Sequence, residues 1–311
     1  MILRLSLVFK QANAHRNSNQ LRKRSSILAL MIATPSTVKR WSTAILFAGI
    51  VLLGGCTPLV RLYQSLQVSS FDGEIRRSSS AVAAATSDAQ RSAAYADRAD
   101  AYSEKARYSR LMKLIPGEEY NKLFDLAVQD YNQAIALDPD NAEIYYRRGN
   151  AYYSRAGLEM IYDRTPSASL VPAKADFSRV VAKNPKNVMA LDMLGLTDAS
   201  MGDWTQAIAD FEQEAALKPR MRFRVSDAYC NRGSSYPKEK YEPAISDLNR
   251  ALQIRGPSDP CECEPYNPLL AIYLQRREYD KAREVVALAQ RSGKWIAPEN
   301  LEQLKAPSAG R

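Results

Sequence analysis

The chain has 311 residues, with 43 lysines and arginines against 34 aspartates and glutamates, which gives a formal net charge of +9. Eight of the basic residues and none of the acidic ones lie in the first 55 positions, so the rest carries 35 basic (43 − 8) against 34 acidic residues. A nearly neutral body argues against nucleic acid as the main partner, because binding to a phosphate backbone needs a concentrated positive face.

Residues 1–30 fit neither a domain nor a signal. A basic cluster precedes Met31, and a signal that starts at Met31 would have an ordinary length. We therefore expect that translation begins at Met31, or that the first thirty residues are an extra leader removed with the signal.

Residues 31–55 have the order of a secretory signal. Lys39 and Arg40 precede an apolar run from Ala44 to Leu53, which is followed by Gly54, Gly55 and Cys56. The run is too short to cross roughly 30 Å of hydrocarbon as a helix, but it suits the apolar core of a signal peptide. A short uncleaved anchor with a chance cysteine is the alternative.

This segment resembles the signal and lipobox of a bacterial lipoprotein. The resemblance implies that a peptidase cuts before Cys56 and that the cysteine sulfur carries a diacylglyceryl group, which would attach the chain to a membrane. Thr57 follows the modified cysteine, and in the family's sorting scheme a residue other than aspartate there implies the outer membrane, on its periplasmic face.

Residues 56–80 are predicted to be a flexible tether, because Pro58, Gly73 and a serine cluster interrupt any sustained period. A long alanine-rich helix is predicted from Ala81, since its residues are strong helix formers.

Five segments in succession share one pattern: apolar or aromatic residues at three- and four-residue steps, a turn, and then alanine, a large apolar residue and a proline or glycine. Val188 to Pro219 is the uninterrupted copy, with Gly202 and Asp203 between its two helices. The other copies are centred on Tyr95 and Tyr131, Tyr145 and Phe177, Tyr229 and Leu248, and Tyr266 and Val286.

The recurring pattern resembles the tetratricopeptide repeat (TPR) family. The resemblance implies an all-α solenoid of about five helix-turn-helix repeats over residues 81–292, with a cap helix and tail over 293–311. Glu214, at a position where the family prefers a small residue, and Leu270, in the place of a glycine, depart from the pattern, and the first two repeats are enlarged.

In the family, the first helices of the repeats line a concave groove that holds a peptide or an extended partner segment. Carried over to this chain, the resemblance assigns that role to Tyr146, Asn150, Tyr153, Asp192 and Leu196. Two rigid aromatic rings offer contact area at low entropic cost, and an asparagine can satisfy a peptide backbone. The alternative is that the tyrosines pack against the neighbouring inserted segment. Further groove positions are Asp100, Ser103, Ser234, Ala271 and Leu274.

Three cysteines remain besides Cys56, and an exported protein meets an oxidising compartment where disulfides persist. Cys230 lies in one predicted first helix, and Cys261 and Cys263 precede the next. A disulfide from Cys230 to either of the other two is one hypothesis; a three-thiolate metal site and unpaired cysteines are the alternatives.

The sequence favours no enzyme, cofactor or metal. His15 is the only histidine, and it lies in the segment expected to be lost, which removes the usual base and the commonest metal ligand. Carboxylate pairs such as Glu118 and Glu119 are interpreted as ends of helices.

The sequence thus predicts a membrane-anchored scaffold lipoprotein that binds protein or peptide partners through its repeats. An assembly factor for a pilus or secretion machine, a cell-wall enzyme with accessory repeats, and a cytoplasmic nucleic-acid-bound regulator are the alternatives. Oligomeric state does not follow from the sequence.

Overall fold

The computed structural model describes residues 57–162, 168–237, 239–256, 259–260 and 262–305, so Cys56 and Cys261 lie outside the described ranges. Every regular element within these ranges is helical. The helices are α1 (Thr57–Ala84), α2 (Asp88–Leu111), α3 (Gly117–Leu137), α4 (Ala142–Tyr162), α5 (Leu170–Lys183), α6 (Val188–Ser200), α7 (Trp204–Leu217), α8 (Arg222–Ser235), α9 (Tyr241–Ile254), α10 (Tyr266–Gln275), α11 (Tyr279–Arg291) and α12 (Pro298–Lys305).

The chain divides into two compact units, residues 1–66 and 67–311. The first unit is described only from Thr57, as the beginning of α1. The second unit contains the remainder of α1 and all later helices.

The prediction of a flexible tether over residues 56–80 differs from the structure, where Thr57–Ala84 is one helix and α2 begins at Asp88 rather than Ala81. The serines do not break the helix, because Ser80 donates its hydroxyl to the Arg76 carbonyl one turn earlier, at 3.1 Å. Within the second unit, Phe71 packs against Tyr108 with ring centroids 5.8 Å apart. Such tertiary contacts outweigh the weak helix preference of residues 56–80. Composition alone therefore misplaced the start of the helical region.

Helices α2 to α11 form five consecutive pairs, named repeats 1 to 5, and each helix packs on the next along the chain. Inside a pair the helices are antiparallel: Ser92 on α2 donates to the Ala134 carbonyl of α3, and Ser226 on α8 donates to the Ala251 carbonyl of α9. The first helices of successive repeats also touch, α2 with α4 and α4 with α6. The second unit is therefore an α-solenoid of TPR-type helix pairs, as the sequence predicts.

Short polar side chains start several helices where the sequence places a turn. The hydroxyl of Ser87 accepts from the backbone N–H of Gln90 at the start of α2, and the Asp203 carboxylate accepts from Gln206 at the start of α7. Gly202 precedes Asp203 with φ of +82°, a conformation in which a side chain would be strained. The turn predicted at Gly202 and Asp203 is confirmed.

Within each of the first four repeats, a close fit between the helices buries one large residue of the second helix. A Cβ built on Gly149 would lie 2.8 Å from the Phe177 ring, and one built on Gly195 would lie 2.6 Å from the Phe211 ring. Both rings are buried. Glycine at this position is therefore required by the packing of repeats 2 and 3, whereas repeat 1 has Ala99 and repeat 5 has Leu270 there.

A paired charge fixes the two helices of repeats 1, 2 and 4. In each, an arginine on the first helix makes two hydrogen bonds to one aspartate on the second, with N–O distances between 2.7 and 2.9 Å. The pairs are Arg98–Asp130, Arg148–Asp176 and Arg232–Asp247. These two-point contacts set the rotation of each first helix, and hence the side chains it presents on its other face.

The last repeat is covered by α12, which lies where the sequence predicts a cap helix. Leu301 and Leu304 of α12 pack against the buried cluster that contains Leu270 and Leu274. Leu274, predicted to be an exposed groove position, is thus buried, because α10, α11 and α12 enclose it.

Candidate functional site

Tyr146, Asn150 and Tyr153 lie along one side of α4, as predicted. The Tyr146 ring meets Phe177 of α5 edge-on, with centroids 5.8 Å apart. The Tyr153 hydroxyl lies 3.4 Å from the Ser200 hydroxyl of α6. Both rings are half-buried, so each combines a packed edge with an accessible one. Their observed partners are α5 and α6, outside the inserted segment.

The surroundings of Tyr146 show which groups share its face. Burial is the main cause that raises the pKa of Tyr146, and the negative charges of Asp192 and Glu143 raise it further. A hydrogen bond with Asn150 lowers it in part. Asp192 belongs to α6 and Glu143 to the first turn of α4. The predicted residues of two repeats therefore come together around one tyrosine.

Asp192 and Leu196 contribute differently to the junction between repeats 3 and 4. The Asp192 carboxylate lies 3.1 Å from Nε of Arg224 on α8. Leu196 is half-buried against a cluster that includes Phe211 and Val225. Asp192 thus presents charge to the face, whereas much of Leu196 is used in packing.

An ionic contact also joins repeats 1 and 2 on this face. It involves Asp100, a predicted groove position, together with Arg147 and Asp97, which the sequence did not single out. Arg147 of α4 lies 2.9 Å from Asp97 of α2 and also contacts Asp100, which accepts a hydrogen bond from Tyr131. Burial alone would lower the pKa of Arg147, but hydrogen bonds to Asp100 and Asp97 raise it overall. The only available signal was the helical spacing of Arg147 from Tyr146 and Asn150.

Glu214, which the sequence flagged as out of place, is fully buried on α7. Neither carboxylate oxygen has a hydrogen-bond donor among the described residues. Burial, and secondly the charge of Asp192, raise the pKa of Glu214 to about 7, against the opposing charges of Arg224 and Lys218. The departure from the family pattern therefore marks an unusual buried carboxyl group on which the charge of Asp192 acts.

Cys230 and Cys263 form a disulfide in the structure, with Cα atoms 6.0 Å apart. This is one of the two pairings that the sequence left open; Cys261 lies outside the described residues. Asp227 accepts from the backbone N–H of Cys263 and from Arg255, which holds the segment before α10 against α8. The bridge closes the groove side of repeat 4 onto the start of repeat 5.

The described residues contain no group of three or more histidine, cysteine or acidic side chains placed to hold a metal ion. In the same ranges every helix is too short or too polar to span a bilayer. The predicted anchor, Cys56, lies outside them, as does the signal.

Comparisons with known proteins agree with the helix pairs. A family model described as a TPR repeat matches residues 123–154, from the second helix of repeat 1 into the first helix of repeat 2. No curated protein matches.

Solved structures similar to this chain include a crystal structure of MamA, with 23% identity and a TM-score of 0.37, covering 60% of this chain and 89% of that one. YrrB, described as a TPR protein with an unusual peptide-binding site, has 19% identity and a TM-score of 0.38, with 66% and 90% covered. A human IFIT1 dimer with PPP-AAAA has 18% identity and a TM-score of 0.41, with 70% and 50% covered. The chain therefore contains a segment that matches the TPR family, within a solenoid of the TPR type.

Proposed function

We propose that this chain is a membrane-anchored, non-enzymatic scaffold that holds protein partners along the first-helix face of its repeats. The observation that carries the proposal is the continuity of that face. Contacts between side chains link α2, α4, α6 and α8 into one row, with the half-buried rings of Tyr146 and Tyr153 near its middle. Rigid aromatic rings flanked by polar groups suit recognition of an extended chain.

The anchor in this proposal is a lipid on Cys56, at the periplasmic face of the bacterial outer membrane. Its support is the basic pair, apolar run and Gly54-Gly55-Cys56 order in the sequence. Palmitate labelling with membrane fractionation tests it: the native chain should label and sediment with outer membranes, and Cys56→Ser should do neither. Equal labelling of both proteins, or native chain in the cytoplasmic fraction, would remove the anchor from the proposal.

The groove is tested by placing a long charged side chain in its centre. Asn150→Arg should abolish in-cell cross-links between the full chain and envelope proteins, because the guanidinium would fill the space beside Tyr146 and Tyr153. Gln129→Arg, on an exposed position of α3, adds the same side chain away from this face and should leave the cross-links unchanged. Equal cross-linking by the two variants would show that partners bind elsewhere.

A further inference from the structure

The first-helix face carries an excess of negative charge. Two arginines, Arg147 and Arg224, each lie between carboxylates of neighbouring elements. The carboxylates on this face are Asp97, Asp100, Glu143, Asp192 and Glu262. Lys218, whose charge also acts on Asp192, is a third cation, so five carboxylates against three cations leave a formal excess of two negative charges, although the chain after residue 55 is nearly neutral.

Much of this charge is accessible to a partner. The side chains of Asp97 and Glu262 are 66% and 74% exposed. Arg224 lies 3.1 Å from Asp192 and 3.8 Å from Glu262, so one cation is shared by two carboxylates. Exposed carboxylates in a row can attract a cationic segment over a distance of about a Debye length, ~8 Å at physiological salt.

Glu214 is an independent indication that a positive charge is missing here. It is fully buried, both of its oxygens lack a donor among the described residues, and the charge of Asp192 acts on it. The charged groups facing it are Asp192 from α6, Arg224 from α8 and Lys218 at the end of its own helix. A buried carboxylate without a donor is unfavourable unless a proton or a nearby cation compensates it.

We propose that this face takes up a basic, extended segment of a partner protein, with a lysine or arginine of that segment seated at Asp192. The inference rests on the proposed function, since it names the chemical class of partner for the same groove. Tyr146 and Tyr153 would flank the segment and offer ring faces to its cationic side chains.

Binding of the basic segment should also be coupled to loss of a proton from Glu214. With Glu214 protonated, the anchor at Asp192 faces one negative charge fewer than with Glu214 ionised. A cation arriving at Asp192 therefore favours loss of that proton, and affinity for a basic segment should increase as pH rises from 6 to 8. Glu214→Gln, which keeps the shape and stays neutral, should remove this dependence.

The test uses the full chain in detergent and three fluorescent twelve-residue peptides, in which serine alternates with lysine, glutamine or glutamate. At low salt the lysine peptide should bind, and the other two should bind at least tenfold more weakly. The double variant Asp97→Asn with Asp192→Asn should weaken binding of the lysine peptide by about two- to thirtyfold, since surface ion pairs contribute about 0.2–1 kcal/mol each. Asp280→Asn, an exposed carboxylate on α11, is the matched control and should change nothing.

The outcomes separate this inference from the proposed function. Preference for the glutamine or glutamate peptide, or equal effects of the double variant and the Asp280→Asn control, would overturn the basic segment. The scaffold would stand if Asn150→Arg still abolished the cross-links. Failure of the lysine peptide to bind even at about 1 mM, a Kd equivalent to about 4 kcal/mol, would also overturn the basic segment. The proposal that partners bind in the groove would be contradicted only if Asn150→Arg left the cross-links intact.

Discussion

Repeats 2 and 3 share the same helix pair and the same contact between a glycine and a phenylalanine, but they hold their first helix differently. Repeat 2 uses the two-point contact of Arg148 with Asp176. Repeat 3 has Leu194 in the place of that arginine, so Asp210, in the place of Asp176, has no guanidinium partner among the described residues. One repeat contains its own neutralising charge, and the other must obtain compensation from outside.

Repeat 3 obtains this compensation from a lysine of the neighbouring repeat and from a raised affinity of its carboxyl groups for a proton. Asp198, fully buried on α6, forms an ion pair with Lys174 of α5 in repeat 2. Burial is the main cause that raises the pKa of Asp210, to about 6, and contact with Asp198 also raises it. A hydrogen bond from Gln206 acts in the opposite direction. With Glu214 on the same helix, repeat 3 holds two carboxyl groups whose pKa values are raised toward neutral pH.

The comparison shows that the same helix pair can accommodate its buried carboxylates in two ways. The two ways differ in how strongly they depend on pH and on the neighbouring repeats. A bidentate ion pair stabilises the helix pair over a wide pH range, because arginine stays charged. A cluster with surplus carboxylates depends on pH and on the adjacent repeats. Repeat 3 is therefore the part of the solenoid whose stability should respond to solution conditions.

The largest expected effect comes from giving repeat 2 the leucine of repeat 3. Arg148→Leu leaves Asp176 buried without its partner, and loss of one member of a buried pair costs about 3–5 kcal/mol. Urea denaturation should show this decrease in the free energy of unfolding. Arg283→Leu breaks an exposed pair with Asp280 and should cost less than about 1 kcal/mol. Similar losses in the two variants would contradict the distinction between buried and exposed pairs.

The second effect is the pH dependence of repeat 3. The folded pKa of Glu214 lies near 7, above its ordinary value, so the folded state retains a proton that the unfolded chain releases. Its contribution to stability is complete at pH below about 4.5 and is lost as pH rises through about 7. Glu214→Gln should therefore stabilise the protein above pH 7, by an amount on the order of 2–3 kcal/mol.

This prediction is measured as the free energy of unfolding between pH 5 and 8, with hydrogen exchange reporting on α6 and α7. Glu284→Gln, an exposed position on α11, serves as the control and should leave the pH profile unchanged. An unaltered profile for Glu214→Gln would mean that Glu214 is ionised throughout this range.

The smallest effect concerns the feature that the two repeats share. Gly149→Ala and Gly195→Ala each place a methyl group against a phenylalanine ring and should cost about 1–3 kcal/mol. Gly157→Ala, also on α4, meets nothing within 4 Å and should stabilise that helix by about 0.5–1 kcal/mol. Thermal unfolding of the three variants checks the order, and a loss of stability at Gly157 would contradict it.

Much of the fold could be predicted because its determinants are local and recur. The turn at Gly202 and Asp203, the proline after α7 and the five apolar patterns are visible in short windows of sequence. The N-terminal boundary could not be found in this way, since the helix over residues 57–84 includes contacts such as Phe71 with Tyr108 from a distant part of the chain.

The candidate site was predictable only as a set of positions. Spacing placed Tyr146, Asn150 and Tyr153 on one side of α4, and it exposed Glu214 as an exception. Spacing could not show that Leu274 is enclosed by later helices or which cysteine joins Cys230.

By itself, the amino-acid sequence determined that this chain forms paired helices in series, because a helix shows its apolar stripe and its ends within one or two turns. Only the tertiary structure decided which charges meet, as with Arg147 between Asp97 and Asp100, or Arg224 between Asp192 and Glu262. Such contacts join helices that are tens of residues apart, and their strength depends on burial, which no local pattern of residues records.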